Sequence, residues 1–113
     1  MIGLALLLAG LGALVWSKLP EQLSLALRGD PHVVEQVLPR AQAGDPAAQH
    51  DLGLRYAGGR GVPRDAEGAV KWYRAAAEQG YGPAQSGLGL AYYWGEGVEQ
   101  DHLKAAEWLR RAA

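Results

Sequence analysis

The last 70 residues of this chain contain one pattern twice. When Gly44–Ala77 is laid over Gly80–Ala113, the two segments agree at an offset of 36 residues. The matches include Ala48-Gln49 with Ala84-Gln85, Leu52-Gly53-Leu54 with Leu88-Gly89-Leu90, Tyr56 with Tyr92, Gly59 and Gly61 with Gly95 and Gly97, Asp65 with Asp101, and Trp72 with Trp108. Self-similarity at this period indicates stacked units that each need a neighbour to bury an apolar face. Such a chain is more typical of a binding scaffold than of an enzyme.

Each unit reads as a pair of antiparallel helices. Asp45 can cap the first helix, and Pro46 suits its first position because no hydrogen-bond donor is needed there. Ala48, Leu52 and Tyr56 then recur on one helical face. A glycine-rich segment that contains Pro63 ends this helix. The second copy follows the same plan.

Asp65 and Asp101 are the N-cap candidates of the second helix in each unit, and Gly80 suits the left-handed conformation that often follows a helix. We expect helices near residues 46–57, 66–79, 83–94 and 102–113. Gly53 and Gly89 lie mid-helix, where glycine costs about 1 kcal/mol relative to alanine. Their equivalent positions predict the close approach of a neighbouring helix, with Trp72 and Trp108 as its large packing partners.

These motifs resemble the Sel1-like repeat, a relative of the tetratricopeptide repeat. The resemblance is carried by the A-Q-x-x-L-G-x-x-Y runs (Ala48 to Tyr56 and Ala84 to Tyr92), the G-x-G-V loops, the aspartate after each loop, and A-x-x-W-x-x-x-A-A. It implies an all-α fold, a short right-handed α/α solenoid whose grooves bind other proteins. It also implies an adaptor role, often at the bacterial cell envelope.

Composition excludes several other classes of function. The chain has 11 basic and 12 acidic residues, interspersed along its length, and no basic stripe that would suit a nucleic acid. It has no cysteine and therefore no thiolate nucleophile or disulfide. The histidines His32, His50 and His102 show no metal-ligand spacing. We predict no catalytic residues, no metal and no cofactor.

An uncharged apolar run, Ile2–Trp16, begins the chain. With its flanks it approaches the length of about 20 residues that spans a bilayer core. The candidate anchor residues are Leu4, Leu6, Leu7, Leu8, Leu11, Leu14, Val15, Trp16 and Lys18. Trp16 and Lys18 suit the membrane interface. We interpret residues 1–18 as a single-pass anchor.

Two other interpretations of this run stay open. A secretory signal peptide has an apolar core of similar length, although a basic start and a clear cleavage site are missing. A helix packed against the solenoid would use Gly3, Gly10 and Gly12. Lys18 and Arg28 follow the run and favour a cytoplasmic repeat domain. Export by an N-terminal apolar segment and the family resemblance favour the periplasmic side, which is our prediction.

The sequence of residues 19–43 predicts helices that bridge the apolar segment and the repeats. Pro20 can start a short helix that ends at Gly29, and Asp30-Pro31 can start another with Val34, Val37 and Leu38 on one face. This second helix lies where a repeat would have its second helix, but Gln36 replaces the tryptophan, and Pro39 is expected to kink it. It is interpreted as a degenerate cap on repeats 44–79 and 80–113.

The two copies differ most in aromatic residues. Tyr81, Tyr93 and Trp94 replace Asp45, Ala57 and Gly58. Because such residues dominate binding interfaces, the candidate contact residues are Tyr81, Tyr92, Tyr93, Trp94 and Leu109. The alternative is that these rings close the end of the stack. We expect these residues to contact a protein partner, or a second copy of the chain at the C-terminal repeat.

The sequence therefore predicts a membrane-tethered scaffold or adaptor that binds a protein partner. An accessory subunit of a larger membrane complex, with the apolar helix packed against its partners, is the alternative.

Overall fold

The computed structural model describes residues 31–113, and within this range the chain is helical with no strand. The helices are α1 (Pro31–Gln42), α2 (Pro46–Gly58), α3 (Ala66–Ala77), α4 (Gly82–Trp94) and α5 (His102–Ala112). The all-helical fold class is confirmed. The predicted bounds of the four repeat helices agree with α2 to α5 to within two residues.

Aspartates begin three of these helices as predicted. Side-chain oxygens of Asp45, Asp65 and Asp101 accept hydrogen bonds of 3.0–3.1 Å from backbone N–H groups of the first turn. These bonds satisfy donors that the start of a helix leaves free. Helix α4 begins after Tyr81, which occupies the position of Asp45 and makes no capping bond through its side chain.

The loops of the two repeats share one backbone conformation. Glycines with positive φ occur in pairs that are 36 residues apart: Gly44 and Gly80 (101° and 86°), Gly59 and Gly95 (66° and 71°), and Gly61 and Gly97 (82° and 74°). Residues with a Cβ rarely adopt this conformation. The positions of these glycines in the sequence therefore determine the backbone conformation of the connections between the helices.

Each helix packs against its neighbours in sequence, as expected of a solenoid. One buried cluster joins α1 to α2, and a second joins α3, α4 and α5. Both clusters are rich in alanine, which lets the helices approach closely. Leu52 and Leu88, at equivalent positions in the two repeats, are the largest fully buried side chains among the described residues.

The mid-helix glycines lie at close helix contacts, as predicted. A Cβ on Gly53 would lie 2.5 Å from ring carbons of Tyr73, and one on Gly89 would lie 2.8 Å from Cγ of Leu109. Trp72 and Trp108, predicted as the large partners, are not the residues that face these glycines. Both tryptophans are half-buried and pack against the two buried clusters. Successive residues on a helix point about 100° apart, so it is Tyr73 that faces Gly53.

Two buried glutamines connect the helices. Gln49 donates from Nε2 to the Ala41 carbonyl at 3.1 Å, and Gln85 donates to the Ala77 carbonyl at 3.2 Å. Each bond satisfies a carbonyl at the C-terminal end of the preceding helix. This explains the glutamine of the A-Q-x-x-L-G-x-x-Y run, since a buried amide without a partner would be costly.

Helix α1 forms the predicted cap on the first repeat. Val34, Val37 and Ala41 are buried against α2, whereas Gln36 is exposed. The helix continues through Pro39 to Gln42, so the proline does not end it. The predicted helix from Pro20 and the apolar segment lie outside the described residues. Among residues 31–113, no helix is long and apolar enough to cross a membrane.

Candidate interaction surface

Helices α2, α3 and α4 enclose a half-open groove with a volume of about 510 Å³. Its lining is mainly apolar. The lining residues are His50, Leu54, Ala57, Arg64, Ala66, Ala69, Val70, Tyr73, Pro83, Ser86, Gly87, Leu90, Ala91, Trp94 and Glu96. They come from both repeats, so the groove exists only because the repeats stack.

Two leucines at equivalent positions line this groove. Leu54 and Leu90 are each 50% exposed, although Leu52 and Leu88, two positions earlier, are fully buried. Two positions on a helix correspond to a rotation of about 200°, which sends the second leucine of each L-G-L run to the opposite face. Ser86, Leu90 and Trp94 are spaced by four and therefore follow one another along α4.

His50 lies at one end of the groove between two tyrosine rings. Its ring centroid is 5.8 Å from that of Tyr73 and 5.5 Å from that of Tyr81. Burial lowers the pKa of His50, and the nearby Asp51 carboxylate opposes this effect. The imidazole is therefore predominantly neutral at pH 7. Burial also raises the pKa of Tyr73, so its hydroxyl keeps its proton.

An aromatic cluster forms the opposite end of the groove. The Tyr93 ring stacks on His102 with centroids 4.9 Å apart and meets Trp94 edge-on at 4.8 Å. Gln100 donates from Nε2 to the Tyr93 carbonyl at 2.8 Å and fixes the end of α4 to the following loop. Trp94 remains 65% exposed, which is unusual for so large an apolar side chain.

The structure separates the five candidate contact residues predicted from the sequence. Trp94 lines the groove, Tyr93 lies beside it, and Tyr81 contacts His50 at the other end. Tyr92 is buried in the core, where its hydroxyl accepts a hydrogen bond from Arg74 at 2.7 Å, and it does not line this groove. Leu109 lies on α5, away from the groove lining.

Sequence reasoning missed Leu54, Leu90 and His50. The repeated L-G-L run did contain a signal, because a helix cannot bury residues i and i+2 on the same side. Arg64 and Glu96 are the only charged residues in the groove lining. Within residues 31–113, no group of His, Asp or Glu side chains could hold a metal ion.

Comparisons with known proteins agree with this architecture. The model of the Sel1 repeat family matches residues 46–81 and 82–113. The chain is similar to a solved protective antigen of uropathogenic Escherichia coli strains, described as displaying an SLR fold, with 41% identity and a TM-score of 0.72. It is also similar to a solved Sel1 repeat protein from Oxalobacter formigenes, with 43% identity and a TM-score of 0.72.

The matched region covers 73% of this chain in both cases. It covers only 18% of the Escherichia coli protein and 63% of the Oxalobacter formigenes protein, so the chain spans less than two thirds of either. No curated protein sequence matches the chain.

Proteins with this repeat generally act in protein–protein interaction, and the fold is typical of scaffolds rather than enzymes. The two matched repeats cover more than half of the chain, and both solved relatives share more than 40% of the aligned residues. The chain belongs to the Sel1 repeat family.

Proposed function

We propose that this chain is a membrane-tethered scaffold that binds a segment of a partner protein in the groove between α2, α3 and α4. Residues 1–18 would tether it, and residues 31–113 would supply the binding surface. The observation that carries the proposal is the row of exposed apolar side chains, Leu54, Leu90 and Trp94, along a concave surface.

The exposure of these side chains supports binding rather than folding. Leu54 and Leu90 leave half their surface in water, and Trp94 leaves 65%. Covering apolar surface is favourable by about 25 cal/mol per Å², and large aromatic side chains in pockets dominate binding energy. A partner that covers this row gains free energy without any change in the scaffold core.

The chemistry of the lining indicates the kind of segment that fits. Helix α4 has no charged side chain, and the groove is mainly apolar with Arg64 and Glu96 in its lining. A partner segment with two or three apolar side chains on one face suits this arrangement. Polar groups of the segment at Arg64 and Glu96 would fix its direction.

Site-specific photo-crosslinking in native membranes tests the groove. A photoreactive amino acid at position 90 or 94 should capture the same polypeptide, because both side chains line the groove. The matched control is position 103, since Leu103 is 81% exposed but does not line the groove. Equal capture from position 103, or different polypeptides from 90 and 94, would contradict a groove-bound partner.

The tether is tested by fractionation. The full chain should stay in the membrane pellet through carbonate extraction, and the chain without residues 1–18 should become soluble and remain helical. A mature N-terminus beyond Trp16 would instead show a cleaved signal peptide.

Thiol labelling tests which side of the membrane the repeat domain occupies. The chain has no cysteine, so a single Glu99→Cys substitution provides one exposed reporter. We propose a periplasmic repeat domain, in which an impermeant thiol reagent would label this cysteine in intact cells.

The accessory-subunit alternative makes a different prediction. If the apolar segment packs against a larger complex, replacing Gly3, Gly10 and Gly12 by leucine should release the chain from that complex while leaving it in the membrane. A simple tether would tolerate all three changes.

A further inference from the structure

Two polar side chains of the groove lining have no hydrogen-bond partner in the protein. His50 of α2 and Ser86 of α4 occupy equivalent positions in the two repeats, and both line the groove. Within residues 31–113, neither side chain forms a hydrogen bond, and neither has a polar atom that is sealed off from solvent. The imidazole nitrogens and the serine hydroxyl are therefore available to a molecule that occupies the groove.

Three titratable groups face the His50 ring. Its centroid lies 5.8 Å from that of Tyr73 on α3 and 5.5 Å from that of Tyr81 before α4, with the rings tilted by 38° and 59°. The third group is the Asp51 carboxylate on the same helix, which lies 3.4 Å from Nε of Arg55 and does not line the groove. The tyrosine rings position the imidazole, and its nitrogens are left for hydrogen bonding with an occupant.

The charge around His50 favours a neutral group in the occupant. Burial lowers the pKa of His50, with Asp51 opposing, so the imidazole is uncharged at pH 7 and offers one donor and one acceptor. The only cation of the groove lining, Arg64, lies in the loop before α3, at the Trp94 end. A carboxylate beside His50 would lose its hydration without meeting a cation. A main-chain amide is neutral and has both a donor and an acceptor, which matches this site.

A segment that covers Leu54 and Leu90 must also satisfy its own backbone. A helix does so internally and therefore offers no main-chain group to His50 or Ser86. An extended segment has no internal hydrogen bonds, and its alternate side chains point to one side. Such a segment can place apolar side chains on the two leucines while its amides bond to the walls of the groove.

We infer that the groove holds its partner as an extended segment, with a main-chain amide hydrogen-bonded to His50 and Ser86. The inference rests on the proposed function of the groove and adds the conformation of the partner and the residues that recognise its backbone. His50 also makes binding depend on pH. A protonated imidazole has no acceptor, and it carries a charge that a covered groove would remove from water.

A peptide titrated against the full chain in lipid nanodiscs tests the recognition of the backbone. The probe is acetyl-Leu-Ala-Leu-amide, whose two leucines lie on one side when the peptide is extended. Its matched analogue has esters in place of both internal amides and keeps the same side chains. NMR shifts of the Leu90 methyl groups give Kd, and those of Leu103, which is 81% exposed outside the groove, should not move. The esters should weaken binding about tenfold.

A variant of His50 connects this loss to one side chain. His50→Phe keeps an aromatic ring between Tyr73 and Tyr81 but removes both nitrogens. It should weaken binding of the amide peptide about fivefold and leave binding of the ester analogue unchanged, because the ester cannot make the bond that the variant removes. Ser86→Ala should discriminate between the two peptides in the same way.

A pH profile tests the same contact independently. Between pH 7.5 and 5.5, wild type should lose about threefold in affinity for the amide peptide, in samples whose circular dichroism shows an intact fold. His50→Gln keeps hydrogen-bonding groups that do not titrate, so it should bind equally at both pH values. The matched control is His102→Gln, because the His102 ring also stacks on a tyrosine but does not line the groove. This variant should keep the pH dependence of wild type.

Four results would overturn the inference. They are failure of the amide peptide to bind, equal binding of the ester analogue, equal weakening of both peptides by His50→Phe, and a pH dependence that persists in His50→Gln. The groove itself is judged separately by photo-crosslinking from positions 90 and 94. Capture of one polypeptide there, together with any of these four results, would leave the proposed function standing and reject main-chain recognition by His50.

Discussion

Single atoms decide how closely the helices of this chain can pack. Gly53 lies where a methyl group would overlap the buried ring of Tyr73 and come within 3.3 Å of the Ala69 carbonyl. Neither neighbour can move freely, because the ring lies in the core and the carbonyl belongs to a helix. The glycine therefore improves packing at the expense of local helix propensity.

This balance gives the first prediction. Gly53→Ala should destabilise the fold by up to about 2 kcal/mol, because overpacking costs about 1–3 kcal/mol while alanine recovers about 1 kcal/mol of helix propensity. Gly58→Ala is the matched control in the same helix, where the nearest atom is the flexible Cγ of Arg60 at 3.4 Å. Chemical denaturation measures both. Equal effects would show that Tyr73 does not pack as described.

His50 gives a prediction about pH. Burial between Tyr73 and Tyr81 lowers its pKa, with Asp51 opposing, so the unfolded chain takes up a proton before the folded chain does. Stability should consequently fall as pH drops below about 6.5, the unperturbed histidine value, until the folded protein is also protonated. The loss should be smaller in His50→Gln, which keeps the other histidines. Parallel stability profiles from pH 7.5 to 5 would contradict this.

Residue-level burial was only partly predictable from the sequence. The sequence predicts Trp72 as the large partner of Gly53, but the ring that faces this glycine is that of Tyr73. Neighbouring positions 72 and 73 differ by one helical step, and the angle between two packed helices decides which of them points inward. A repeat pattern does not contain that angle.

Whole elements were predicted more accurately than single side chains. The bounds of α2 to α5 follow from local chemistry, since aspartate caps and left-handed glycines act within a few residues of a helix end. The uncapped start of α4 at Tyr81 was visible as a departure between the copies, but its contact with His50 was not. That contact joins α4 to α2 and depends on how the helices pack.

The two sides of α4 give a prediction at this scale. Leu88 is fully buried and Leu90 is half exposed. Leu88→Ala should cost about 2–5 kcal/mol of unfolding free energy, as for other buried leucines. Leu90→Ala should cost less than about 1 kcal/mol, because its surface is already largely hydrated. Thermal melts of the two variants measure the difference, and similar costs would mean that the orientation of α4 is wrong.

At the scale of the molecule, stacking creates surfaces that no single repeat contains. The groove takes Leu54 and Ala57 from the first repeat and Leu90 and Trp94 from the second. The sequence predicted a binding scaffold through the repeat, and it predicted Trp94, which lines the groove, as a candidate contact residue. It did not predict the groove, because a concave surface is a product of the geometry between units.

A partner bound in this groove should be lost without loss of fold stability. The affinity of a crosslinked and purified partner for wild type, Leu90→Lys and Leu103→Lys tests this, together with thermal melts of all three. We expect Leu90→Lys to lower affinity roughly thirtyfold or more, Leu103→Lys to bind normally, and both variants to melt like wild type. Unchanged affinity in Leu90→Lys, or a loss confined to Leu103→Lys, would contradict it.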